Sequence, residues 1–239
     1  MLVKAAINGG RTLAEHPGVP LTPEQQSTEA AAAVAAGAGA IHVHPRDSLG
    51  RESLGSDDVR RTLEAIRASC PGVPVGVSTG AWISLDRSER VSFIQRWEVL
   101  PDFASVNVHE DGAPELIRLL LDRGVGVEAG VWNARSARVL RTSGLARECL
   151  RVLIEPAEDG GEPMTNYREI ESTLGRLPVP ALLHGHDLSA WSFVALAAAR
   201  GYDTRTGLED TLTLPDGSVA ANNAALVAAA MQIVSKGAP

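Results

Sequence analysis

Two histidines one residue apart, His42 and His44, lie in the aliphatic run Ala40-Ile41-His42-Val43-His44-Pro45. Ile and Val favour an extended chain, and side chains on a strand alternate faces, so both imidazoles point the same way. Two imidazoles aimed together from a strand end bind one divalent metal when a carboxylate completes the set. That donor set suits zinc and leaves a position for water or substrate. The candidate carboxylate is Glu209, at the end of the distant run Thr206-Gly207-Leu208-Glu209. Asp210 follows directly. A turn at the strand's end would bring both carboxylates to one mouth, where Arg205, just inside the strand, can steer Asp210 and keep it ionised. The plainer alternatives are hydrogen-bonding histidines and a rim ion pair between Arg205 and Asp210. His184-Gly185-His186 is a second His-X-His and a rival metal site, although Asp187 and Ser189 behind it read as the cap of a helix.

Residues so far apart in sequence converge only if the elements between them return each strand end to the same place. Short aliphatic runs read as strands over 2–7, 40–45, 73–78, 103–108, 125–131, 150–154, 179–183 and 203–208. Helical patterns follow them over 23–36, 57–69, 84–97, 114–122, 133–142, 165–174, 189–200 and 222–235. The first helix carries its own start signal, with Thr22 as cap, Pro23 at the first position and Gln25 three residues on. Strand–helix alternation implies parallel strands with right-handed crossovers. The expected fold is α/β, a single-domain (β/α)8 TIM barrel over residues 1–239. A six- or seven-strand open sheet is the alternative, and no dinucleotide-type glycine fingerprint follows the first strand to support it. In such a barrel function sits at the carboxyl ends of the strands. There the sequence places Asn8, Ser78, Thr79, Ser105, Asn107, His109, Glu128 and Glu155 beside the two histidine pairs. Hydroxyls of Ser78, Thr79 and Ser105 suit a carboxylate or a developing oxyanion, or cap strand ends.

Composition agrees with a packed α/β protein. The 239 residues are 44% hydrophobic, mostly Ala, Val and Leu, with only 4% aromatics, which suits helices lying close on a buried parallel sheet. A formal charge of -7 argues against nucleic acid or an anionic membrane as partner. Cys70 and Cys149 make no metal spacing and fit a reduced, cytoplasmic protein. No signal-peptide pattern and no membrane-length apolar run is present. Trp97, Trp132 and Trp191 read as packing residues.

The runs Ala5-Ala6-Ile7-Asn8-Gly9, Ile41-His42-Val43-His44-Pro45-Arg46-Asp47, Val77-Ser78-Thr79-Gly80 and Arg205-Thr206-Gly207-Leu208-Glu209-Asp210 together resemble the β-keto acid cleavage enzymes. The resemblance spans almost the whole chain in order. It implies a zinc-dependent barrel that condenses a β-keto acid with acetyl-CoA, giving acetoacetate and a new CoA ester, and a homo-oligomer is expected. It further implies zinc on His42, His44 and Glu209, Asp210 as base poised by Arg205, and Ser78 and Ser105 on the substrate's carboxylate and keto end. Asn8, Arg11, Thr79, Asn107 and Glu128 complete the expected substrate contacts. Arg11 and Gly130 stand where an amino-substrate member of the family carries acids, which points to a neutral or anionic tail, a β-keto dicarboxylate above all. The acidic loop Glu155-Pro156-Ala157-Glu158-Asp159-Gly160-Gly161-Glu162 suits CoA phosphates poorly. A zinc-dependent lyase or hydrolase that does not use CoA is therefore the alternative, and a catalytically silent barrel a weaker third.

Overall fold

A computed structural model of the chain describes residues 1–84, 86–157 and 162–237. Parallel strands β1 (Val3–Ala6), β2 (Ala40–Val43), β3 (Val75–Ser78), β4 (Phe103–Asn107), β5 (Gly126–Val131), β6 (Arg151–Ile154), β7 (Ala181–Leu183) and β8 (Asp203–Thr206) close into a barrel in sequence order. Closure is direct: Lys4 is in register with Ala40 on β2 and with Arg205 on β8. This excludes the open sheet. The strands alternate with α1 (Pro23–Ala35), α2 (Ser56–Ser69), α3 (Arg87–Gln95), α4 (Ala113–Asp122), α5 (Ala134–Ser143), α6 (Pro163–Leu174), α7 (Ala190–Arg200) and α8 (Asn223–Gly237). The start of α1 is as expected, with the Thr22 side chain accepting from Gln25 N and the Gln25 side chain from Thr22 N. Among the described residues no helix is long and apolar enough to cross a membrane.

Alternation along each strand separates two layers. Val3 and Ala5, Ile41 and Val43, Val75 and Val77, and Val127 and Ala129 pack outward under the helices, against Ala30, Leu63, Ile66 and Leu120. The intervening residues fill the barrel, and several of them are charged. Lys4 and Glu128, both without exposed surface, form an ion pair there; Arg151 Nε lies 3.3 Å from Glu128 and its NH1 2.9 Å from Asp203. The Phe103 ring lies so close over Gly76 that a Cβ at that position would collide with it.

This layer corrects one expectation. β5 runs on to Val131, so Glu128 sits mid-strand with its carboxylate enclosed and engaged by Lys4 and Arg151. It has no surface to offer a ligand and serves as a structural charge. Losing one partner of such a buried pair costs about 3–5 kcal/mol, because the other charge is left uncompensated.

β8 stops at Thr206, short of the expected 208. Gly207 packs against the Ala6 backbone with no room for a Cβ, and the chain then turns, Asp210 N and Thr211 N both bonding to Gly207 O at 2.9 and 3.0 Å. That turn brings Glu209 and Asp210 together at the carboxyl end of the barrel.

Candidate metal centre

β1, β2 and β8 are neighbours, and their ends place His42, His44 and Glu209 side by side. His42 Nε2 and His44 Nε2 are 3.2 Å apart, and each is 3.6 Å from Glu209 Oε2. Zinc–ligand bonds of about 2.0–2.1 Å in a tetrahedron separate ligand atoms by about 3.3–3.4 Å. The three atoms therefore already outline one face of such a polyhedron. Two imidazole nitrogens at 3.2 Å cannot both carry protons, and Glu209 Oε2 is buried without a hydrogen-bond partner among the described residues. A divalent cation fits these three donors. Burial holds His42 well below the ordinary imidazole value, with Glu209 opposing, which keeps it neutral as a ligand must be. Burial also pulls His44 down, but Glu209 and Glu52 outweigh it and lift it to about 9, so a metal would displace a proton there. Glu209 is held well below the carboxylate range against its burial, chiefly by Arg205 and then by the two histidines.

The Asn8-Gly9 turn after β1 supports the three. Asn8 clamps the backbone of His44, Oδ1 accepting from His44 N and Nδ2 donating to His44 O, both at 2.9 Å. Gly9, at φ 50°, leaves room for the Glu209 side chain, which any Cβ there would strike. Asn8 is thus fully buried and its amide engaged, a positioning residue and not the expected substrate contact.

Asp210 sits beside this group with no exposed surface. Arg205 NH2 donates to Asp210 Oδ1 at 2.7 Å and to Glu209 Oε1 at 2.9 Å, and burial does not prevent these carboxylates from raising the guanidinium's already high pKa. Asp210 Oδ2 has no hydrogen-bond partner among the described residues. One oxygen is fixed and the other is free, the arrangement a carboxylate base requires. Arg205 is buried, so the pair is not a rim ion pair.

The other expected residues divide. Ser78 on β3 and Ser105 on β4 are in register with one another, buried and half-buried. Thr79 Oγ1 donates to Ser105 O at 2.7 Å, and Asn107 Nδ2 to Glu110 at 2.9 Å, so both are engaged by the scaffold. Arg11 joins the loops after β1 and β7, donating to Asp187 at 2.5 Å and to Glu15 at 3.1 Å. Its charge is matched there by two carboxylates. His109 is exposed and packs on Trp132 with ring centroids 4.8 Å apart. Of the acidic loop, Glu155 turns inward, while 158–161 lie outside the described residues.

The rival pair does gather a carboxylate: His184 Nε2 and His186 Nε2 lie 3.2 and 2.6 Å from the two oxygens of Glu155. Both sets of three candidate atoms are within 4.8 Å of one another. The second set differs in what stands behind its buried imidazole. Arg205 Nε donates to His184 Nδ1 at 3.2 Å, which leaves the proton of that ring on Nε2, the nitrogen a metal would need. Burial opposes the charge on His186, but Glu155 lifts it to about 9. Glu52, which holds the Nδ1 of His44, escaped the sequence reading altogether; its only signal is a carboxylate eight residues after a candidate ligand.

The sequence profile of the β-keto acid cleavage enzymes matches residues 1–237. The chain belongs to the β-keto acid cleavage enzyme family. It is 27% identical to a 3-keto-5-aminohexanoate cleavage enzyme of Fusobacterium nucleatum, over 95% of this chain and 88% of the relative. It is also 27% identical to a 3-oxoadipate:acetyl-CoA acetyltransferase of Cupriavidus necator, over 89% of this chain and 80% of the relative. Among solved structures, the binary complex of ObcA with oxaloacetate matches at a TM-score of 0.68 and 18% identity, over 93% of this chain; the chain spans 65% of ObcA. A 3-hexulose-6-phosphate synthase of Salmonella typhimurium matches at 0.64 and 15% identity, over 99% of this chain and 100% of that one. At those identities the likeness is one of fold, the (β/α)8 barrel. As a member of the cleavage family the chain is an enzyme acting on β-keto acids.

Proposed function

We propose that this β-keto acid cleavage enzyme is zinc-dependent and transfers acyl groups between a β-keto acid and acetyl-CoA, releasing acetoacetate and a new acyl-CoA. The observation that carries the reading is the convergence of His42, His44 and Glu209 next to an Asp210 with one oxygen fixed by Arg205 and one free. The relative from Cupriavidus necator, an acetyl-CoA acetyltransferase by name, supports acetyl-CoA as co-substrate.

When bound by the two histidines and Glu209, the metal supplies Lewis-acid polarisation of the keto group, which acidifies the carbon between keto and carboxylate. Asp210 Oδ2 takes a proton from that carbon. The resulting carbanion attacks the thioester carbonyl, a carbon–carbon bond forms, and CoA leaves as thiolate. The thiolate attacks the original keto carbon, the older carbon–carbon bond breaks, and Asp210 returns its proton to the acetoacetate carbon. No proton is gained or lost overall. Arg205 holds Asp210 Oδ1 and so aims the other oxygen, and Ser78 and Ser105 offer hydroxyls to the substrate's carboxylate and keto end.

We place the enzyme in the cytoplasm, working as a homo-oligomer on a small-molecule substrate. The exposed apolar residues Leu13, Leu49, Trp82, Leu188 and Val219, all in loops after strands, support an assembly through this end of the barrel. The test is acyl-CoA formation from a panel of β-keto acids with acetyl-CoA. CoA-ester product that requires both substrates is expected. Substrate loss without CoA would favour the hydrolase or lyase reading, and no turnover with any member of the panel would remove both.

A further inference from the structure

We propose that Glu52 and Trp82 set the affinity of the metal centre by holding His44 from behind, although neither contributes a ligand atom. The inference rests on the metal reading above and concerns residues that reading does not use.

The loop after β2 folds back on its own strand to deliver Glu52. Arg46 bridges to Glu52 across the loop, and Ser53 N bonds to Pro45 O at 2.9 Å. Asp47 closes the excursion, accepting from Leu49 N, Arg51 N and Arg51 Nε at 2.8–3.0 Å. Arg46 pins it from below through the carbonyls of Gly9 and Arg11. At the tip of this construction Glu52 Oε1 meets His44 Nδ1 in a short hydrogen bond.

The loop after β3 then locks Glu52. The Trp82 indole N–H points at both carboxylate oxygens, at 3.1 and 3.2 Å. Its ring lies nearly parallel to the His44 imidazole, centroids 6.3 Å apart and planes at 22°. Gly80 makes this seat possible, since any Cβ there would collide with the indole.

The chemical consequence follows from the two ring nitrogens. A carboxylate on Nδ1 fixes the proton there and aims the Nε2 lone pair at His42 and Glu209; it also makes that lone pair more basic. The negative charge of Glu52 adds to that of Glu209 against the charge of a divalent cation. His42 has no such support, for its Nδ1 is buried without a hydrogen-bond partner among the described residues. His44 is therefore the anchored ligand, and its anchor comes from two loops outside the ligand set.

The test is a chelator-competition titration of the metal-free full chain with zinc, run on wild type, Glu52→Gln and Trp82→Phe, with melting temperatures of the metal-free proteins as fold control. Glu52→Gln should weaken the zinc Kd about 10–100-fold. Trp82→Phe, which keeps a ring but loses the N–H, should weaken it by less. A Glu52→Gln variant that folds and binds zinc within about twofold of wild type overturns the proposal. If that variant does not fold, Trp82→Phe decides: an unchanged Kd overturns and a weakened one supports. A wild-type chain that takes up no zinc ends the metal reading itself, an outcome distinct from equal affinities.

Discussion

Two His-X-His pairs end strands of this barrel, His42 and His44 on the β2 side and His184 and His186 on the β7 side, and each gathers one glutamate. In sequence they look alike. In the fold they differ in what stands behind the rings. Behind His44 is a carboxylate, Glu52, which accepts from Nδ1–H and leaves the Nε2 lone pair facing His42 and Glu209. Behind His184 is a guanidinium, Arg205, which donates to Nδ1 and forces the proton onto Nε2. Among the described residues neither Glu209 Oε2 nor His184 Nε2 has a hydrogen-bond partner, whereas Glu155 Oε1 bonds to His186 Nε2 at 2.6 Å. The first cluster turns two Nε2 atoms and a carboxylate oxygen toward one another; in the second Arg205 bonds to His184, and His186 to Glu155, beside Asp210. The neighbour of the far ring nitrogen separates a ligand from a hydrogen-bond relay.

The largest effect that can break this comparison is loss of metal. His42→Ala and Glu209→Gln should abolish bound zinc, while His184→Gln and Glu155→Gln should keep about one zinc per chain. Elemental analysis of the four purified variants checks it, and the reverse pattern would make the second pair the metal site.

Asp210, where the clusters meet, gives the next largest effect. Asp210→Asn keeps the shape and removes the proton acceptor, so zinc content should hold while turnover falls by about two to four orders of magnitude. Activity above about a tenth of wild type would remove Asp210 as the base.

The smallest effect is on stability and reports the protonated state of the second pair. His186 is lifted to about 9 from its ordinary 6.5, with Glu155 outweighing burial. A raised folded-state value means that its stabilisation is fully present below about pH 6.5 and is lost as pH rises through about 9. With 30% of the His186 side chain exposed, solvent screening leaves about 1–2 kcal/mol. His186→Gln should therefore lower the melting temperature most at pH 6 and converge on wild type near pH 10. A pH-independent difference would show that the imidazolium plays no part.

Much of this was legible beforehand. All eight strand–helix units, the capped start of α1 and the convergence of His42, His44 and Glu209 followed from period, capping chemistry and the right-handed rule for parallel crossovers. Asn8, Thr79 and Asn107 have the side chains of binding residues, and in the fold nearby backbone or carboxylate groups engage them; no pattern in the chain announces which polar group will find an internal partner. Glu128 was read among the strand-end groups although its strand ran on to Val131; its partners Lys4 and Arg151 come from other strands, and spacing does not reveal them. Arg11 does reach a neighbouring loop, but Asp187 arrives there from the far end of the chain.

By itself the sequence determined the barrel, the order of its strands and the alignment of His42, His44 and Glu209, because side-chain alternation and strand closure are rules of the backbone. Only the tertiary structure decided that a carboxylate stands behind one histidine pair and a guanidinium behind the other. Those partners come from a β2 loop that folds back eight residues and from β8 across the barrel, contacts of a few ångströms that sequence spacing does not encode.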